Sequence, residues 1–329
     1  RRYERAVCAW FRDRHGWAVE PEWLTQTYGV VPAMLFALYA LTAPGDGVVY
    51  QPPVYGPFLR CIQGTGRTPL ANPLVVREGR YEMDFDGLEA LCARPDVTML
   101  MLCSPHNPVG RVWLREELKG MMDICKRNHV YVISDEIHQD IIMKGYQHIP
   151  TAVVGQPGEY DEILITLSAP SKTFNLAGMQ NAFAIIPDKA LKARVEKQIQ
   201  TARINKGTTL GYIAAQAAYE HGGEWLASVL EVIEGNYTYL RDTLKNSLPE
   251  VTVTPLEGTY LMWIDLGAYL TKDNLEEVVQ KQAKLAVDFG KWFWPDNGED
   301  THIRINLATS RENIVLAAQN LIAQIKKNS

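Results

Sequence analysis

Short, nearly continuous apolar runs rich in β-branched residues recur along the first two-thirds of the chain. They are Val48–Gln51, Thr98–Cys103, Val130–Ser134, Ile163–Ser168 and Ala182–Ile186. Runs of this length without polar alternation predict strands covered on both faces. Between them, Phe85–Ala93 and Arg115–Asn128 read as helices, and so does the opening stretch, with Tyr3, Val7, Trp10 and Phe11 on one face. The order strand–helix–strand predicts a doubly wound, mostly parallel sheet in a three-layer α-β-α arrangement. From about Gly207 the texture changes. A long helical stretch, Leu210–Leu248, carries Gly222 and Gly223 as a break, and is followed by strands at Val251–Thr254, Tyr260–Leu266 and His302–Leu307 with helices at Leu275–Gln282 and Arg311–Lys327. The expected organisation is α/β: a large domain over 1–228 and a smaller α+β C-terminal domain over 229–329.

Composition narrows the function classes. Of 329 residues, 47% are hydrophobic and 22% charged, which excludes a disordered or low-complexity chain. Lys and Arg number 33 against 38 Asp and Glu, a formal net charge of −5 with no basic stripe, so no nucleic-acid partner is expected. The longest apolar run, Val30–Leu41, is interrupted by Pro32 and is shorter than the roughly 20 residues that span a bilayer. No membrane partner is expected. Five cysteines without a CxxC clip or secretory leader predict reduced thiols and a cytoplasmic location. Seven histidines without metal-ligand spacing predict no metal. Residue 1 is Arg and the helix begins at once, so the sequence is expected to start downstream of its natural beginning.

Ligands of open α/β sheets bind beyond the carboxyl ends of the strands. After Thr98–Cys103 comes Asn107, after Val130–Ser134 comes Asp135, and after Ile163–Ser168 comes Lys172. An amide, a carboxylate and a lysine therefore meet at one rim. A lysine in a rigid turn can form a Schiff base with a carbonyl, and pyridoxal phosphate is the cofactor that uses one. Its ring acts as an electron sink while a carboxylate keeps the ring nitrogen protonated. Each residue also has a plainer reading. Lys172 alone would be a solvated surface lysine, Asp135 a helix cap, Asn107 turn chemistry before Pro108, and Arg304 a partner for a surface acid. His138 alone would be a satisfied core histidine.

The motifs decide between these readings. Asn107-Pro108-x-Gly110, Asp135-Glu136-Ile137-His138, Ser171-Lys172-Thr173-Phe174-Asn175-Leu176-Ala177-Gly178 and Arg304-Ile305-Asn306 resemble the fold-type I pyridoxal-phosphate-dependent superfamily of class I/II aminotransferases. Pro53-Val54-Tyr55-x-Pro57-Phe58 and Ala169-Pro170-Ser171-Lys172 look like its cystathionine β-lyase, or carbon–sulfur lyase, branch. The resemblance spans almost the whole chain. It implies that Lys172 is the catalytic, Schiff-base lysine, that Asp135 holds the pyridine nitrogen, and that Asn107 faces the ring hydroxyl. His138 occupies a position where many relatives place a tyrosine facing the same oxygen, and Tyr55 would stack on the ring. Gly29, Val30 and Val31, opening a helix, would cradle the phosphate with Ser168 and Ser171. Arg304 would grip the substrate carboxylate.

The chain departs from the family pattern at two positions. Gln180 stands eight residues after Lys172, where many members carry an arginine paired with the phosphate, and Ala169 stands where a phosphate-binding serine is common. The family's N-terminal segment, which supplies pocket residues and a tyrosine to the neighbouring subunit, is absent from this sequence. The resemblance further implies a homodimer with shared sites and an amino-acid substrate. The expected activity is α,β-elimination from cystathionine or cysteine-type amino acids, giving pyruvate, ammonia and a thiol. Transamination to a 2-keto acid and a cofactor-fold regulatory or interaction module with little turnover are the alternatives.

Overall fold

The computed structural model describes residues 2–203, 207–295 and 300–328. In chain order its strands are β1 (Leu24–Thr27), β2 (Gly47–Tyr50), β3 (Thr68–Ala71), β4 (Val75–Arg77), β5 (Arg80–Glu82), β6 (Val97–Cys103), β7 (Tyr131–Asp135), β8 (Leu164–Ser168), β9 (Ala182–Ile185), β10 (Thr252–Val253), β11 (Leu261–Asp265), β12 (Asp288–Phe289) and β13 (His302–Asn306). The helices are α1 (Arg2–His15), α2 (Val30–Leu41), α3 (Pro57–Gly64), α4 (Phe85–Cys92), α5 (Arg115–Arg127), α6 (Pro170–Thr173), α7 (Lys189–Ala202), α8 (Thr209–His221), α9 (Gly223–Ser247) and α10 (Arg311–Asn328).

Seven strands form one sheet in the order β1-β9-β8-β7-β6-β2-β3, in which β9 runs against the rest. Successive side chains of a strand point to opposite faces, and here both faces are apolar. Met99, Met101 and Ile133 pack with α2 and α7 on one side, while Leu100, Leu102 and Val132 pack with α4 and α5 on the other. A third cluster joins α1 and α8 to Phe183 and Ile185 of β9. Two strands of this sheet went unanticipated for local reasons. Three of the four β1 residues are polar, and β3 contains Pro69, which a strand tolerates at the sheet edge where β3 lies.

The second unit is a four-stranded antiparallel sheet, β10-β11-β13-β12, covered by α9 and α10. The helix expected over Leu275–Gln282 is a π-helical turn, Glu277–Gln282, and the break between α8 and α9 falls at Gly222. We propose that the domains divide inside α9 near 228/229. Leu226 belongs to the α1–α8 cluster, whereas Ile233, Leu240 and Leu244 belong to the C-terminal core.

A buried ion cluster joins the two units. Glu257, between β10 and β11, accepts from Arg80 Nε at 2.9 Å, Arg111 Nε at 3.0 Å and the Val112 N–H at 2.9 Å. Arg111 is 1% exposed. Removing one partner of a buried ion pair strands the other charge away from water. Glu257→Ala is therefore expected to cost about 3 kcal/mol, read as a lower urea midpoint. An unchanged midpoint would contradict the assignment of this cluster as the clamp between the units.

Candidate active site

The parallel register sets the site. Asp135 closes β7 level with Cys103 of β6 and Leu167 of β8. Asn107 follows four residues after Cys103 and Lys172 five after Leu167, so all three reach the same rim. They line one cavity of about 450 Å³ together with Gly29, Val30, Val31, Tyr55, His138, Ser171 and Arg304. Ser168, expected beside the phosphate, is buried within β8 opposite Phe183 and does not border this cavity; Ser171 supplies the hydroxyl on its wall.

Asp135 is 5% exposed, and its Oδ1 accepts the Ile137 N–H at 3.1 Å. That contact makes a tight turn, so the helix-cap reading does not hold here. Burial pushes its carboxyl from the ordinary 3.8 up to about 7, although the Ile137 N–H and the Lys172 charge pull the other way. His138 is also buried, and its pKa falls to about 3 because of desolvation and the Lys172 and Arg304 charges. It is a neutral imidazole, set edge-on to the Tyr260 ring at 5.6 Å, and its Nδ1 has no hydrogen-bond partner among the described residues.

The lysine turn is braced from below. Thr173 Oγ1 donates to the buried Asp140 at 2.8 Å, and Asp140 also accepts from Trp10 Nε1 at 2.9 Å and His15 Nε2 at 2.8 Å. Burial alone would raise the Asp140 carboxyl, but these donors hold it below its ordinary value. Helix α1 thereby fixes the backbone that carries Lys172. Across the cavity, the Tyr55 N–H donates to the Asn107 carbonyl at 3.0 Å, tying the loop after β2 to the loop after β6.

Arg304 lies on β13 with its guanidinium over the Phe293 ring at 4.8 Å. Its Nη1 donates to Asn107 Oδ1 at 2.6 Å, and its Nε donates to Asp288 Oδ2 at 3.0 Å. Its Nη2 also reaches Asp288. Asp288 is 16 residues away in sequence, and no sequence motif marks it; the direct pairing of Asp288 with Arg304 across β12 and β13 places it there. Tyr260 and Asn181, also on the wall, were likewise not singled out by the motifs.

The donor set fits pyridoxal phosphate. A buried carboxylate suits a protonated ring nitrogen, Asn107 and the unpartnered His138 Nδ1 suit the ring oxygen, and the α2 terminus suits the phosphate. Among the described residues, no group of acids, cysteines and histidines could hold a metal.

Comparison with known proteins agrees. Residues 1–321 match the family model for aminotransferase class I and II. The chain is 39% identical to cystathionine β-lyase PatB of Bacillus subtilis over 306 residues, covering 93% of this chain and 78% of that one. It is 30% identical to Protein MalY of Escherichia coli over 329 residues, covering 98% and 81%. The structure of cystalysin from Treponema denticola, which contains pyridoxal 5'-phosphate, superposes with a TM-score of 0.96 at 36% identity, covering 100% of this chain and 82% of that one.

The raised Asp135 carboxyl has a stability consequence. A folded-state value above the unfolded one means that ionisation penalises the native state, so stability falls as pH rises from about 4 through about 7. With no cofactor bound, Asp135→Asn is expected to raise the melting temperature relative to the parent at pH 8 and to leave it nearly unchanged at pH 4. A destabilised variant at pH 8 would contradict the burial penalty.

Proposed function

The chain belongs to the aminotransferase class I and II family, and from that premise we propose that it is a carbon–sulfur β-lyase acting on cystathionine or a related cysteine-type amino acid. It is a pyridoxal-phosphate-dependent enzyme. The observation that carries the proposal is the single cavity that gathers Lys172, Asp135, Asn107 and Arg304 in a chain 39% identical to a cystathionine β-lyase. Among the described residues lining that cavity the cations are Lys172 and Arg304, so one carboxylate of a substrate is matched there. That favours an amino acid with one carboxylate near the reacting carbon over the dicarboxylic partners of many amino transfers.

When bound, the cofactor supplies an electron sink for the pair left by the α-proton. Arg304 holds the substrate carboxylate and thereby sets the Cα–H bond. Lys172 Nζ takes the α-proton as general base. Asp135 would pair, ionised, with a positive ring nitrogen and keep the proton on it. Asn107 and the neutral His138 would hold the ring oxygen, and Tyr55 would cover the ring. The C–S bond then breaks, the sulfur leaves as thiolate and takes up a proton, and the enamine released is hydrolysed to pyruvate and ammonia.

Two further readings belong with this one. A homodimer accounts for Leu210 and Ile213, which leave 69% and 60% of their surfaces exposed on α8. A cytoplasmic location suits the five cysteines, none of which forms a disulfide. No helix among the described residues is long and apolar enough to cross a membrane.

The test is L-cystathionine with pyridoxal phosphate and no keto acid. Equal amounts of pyruvate, ammonia and thiol are expected, and Lys172→Ala should lower the rate about a thousandfold. Amino transfer that appears only when a keto acid is added would contradict the lyase reading. Asp288 occupies the Nε/Nη2 side of Arg304, so the substrate carboxylate has to compete with it. Asp288→Ala is accordingly expected to lower KM several-fold; a raised KM would make Asp288 an orienting partner instead.

A further inference from the structure

The phosphate end of the cavity poses a charge problem. Lys172 and Arg304 are the cations on the described wall, and Arg304 is already bonded to Asp288 and Asn107. Gln180 stands where an arginine would otherwise offset the dianion. The terminus of α2, a helix of 12 residues, offers backbone N–H groups, and a helix dipole amounts to roughly half a charge.

Asn181 sits beside that terminus. Thr27 pairs with Ala182 in antiparallel register, which puts Asn181 level with Tyr28, immediately before Gly29. On its other side Ser168 pairs with Phe183, which puts Asn181 level with Pro170, at the start of the turn that carries Lys172. Asn181 is among the residues that line the cavity and is 3% exposed. Oδ1 accepts a hydrogen bond from Tyr3 Oη at 2.9 Å, while Nδ2 is buried with no partner among the described residues. Buried amide donors are nearly always satisfied, so an orphan on a cavity wall calls for an acceptor.

We propose that Asn181 Nδ2 donates to the cofactor phosphate, oriented by the Tyr3 hydroxyl, so that this chain anchors the dianion with a neutral amide and the α2 terminus in place of an arginine. The orientation follows from chemistry. An anion on the cavity side requires the amide to present N–H there and leaves Oδ1 for Tyr3. Tyr3 remains a donor because burial raises its phenol far above the ordinary range. Neither Tyr3 nor Asn181 belongs to the motifs that mark the site, and α1 thereby reaches the cavity by a second route besides Asp140. The proposal rests on the reading that this cavity holds pyridoxal phosphate.

The test compares pyridoxal phosphate with pyridoxal, which lacks the phosphate, by titrating cofactor-free full chain and following absorbance. Asn181→Ala is expected to weaken pyridoxal phosphate about tenfold, as loss of a charged hydrogen bond implies, and to leave pyridoxal unchanged. Asn181→Asp, nearly isosteric, should weaken the phosphorylated ligand further, and more so as pH rises through the phosphate's second ionisation near 6. Tyr3→Phe should give a smaller loss confined to the phosphorylated ligand, with a matching change in the ³¹P resonance of the bound form. Equal losses for both ligands, or none for either, would overturn the role of Asn181 while leaving the cofactor reading intact. A parent chain that bound neither ligand would overturn both.

Discussion

Asp135 is a carboxylate 5% exposed on the wall of the cavity, with the Ile137 N–H donating to its Oδ1. Such a group sits near neutrality between two states, protonated and unpaired or ionised and in need of a cation. The rest of the site supplies the setting for the second state. Lys172 acts on Asp135 through its field, and the central strands bury the acid from both sides. On the proposed reading a protonated heterocyclic nitrogen would resolve the imbalance, and the same protonation would make the ring an electron sink. Burial of one acid thus links the fold to the chemistry.

The geometry around Asp135 follows from strand order. Three adjacent parallel strands, β6, β7 and β8, end at one rim, and each is followed by a short connection carrying one functional group. Parallel strands buried on both faces read as apolar runs, which is why these strands and the residues after them were legible in the sequence. The five central strands lie within one residue of their expected limits at either end. Lys172, Asp135 and Asn107 were legible for the same reason, since each lies at the end of a recognisable strand or within four residues of it.

Other parts of the site were not legible, and the cause is long-range pairing. Asp288 meets Arg304 through the register of a two-residue strand, too short to leave a pattern in sequence. Asn181 owes its place to pairing with β1, whose mostly polar sequence hid it, and its orientation to Tyr3, 178 residues away. Ser168 shows the converse. Its position beside the lysine motif suggested a phosphate contact, but it is buried at the end of β8 and does not border the cavity. The plain reading of Arg304 as a partner for an acid is met by Asp288.

The central claim is that the Asp135 carboxyl awaits a cation. Isotope-edited infrared difference spectra, parent minus Asp135→Asn, would follow its C=O band against pH with and without pyridoxal phosphate. The account predicts a carboxyl that titrates near pH 7 in the cofactor-free chain and stays ionised through that range once the cofactor is bound. A carboxyl that titrates near its ordinary value in both, or remains protonated with cofactor bound, would contradict it.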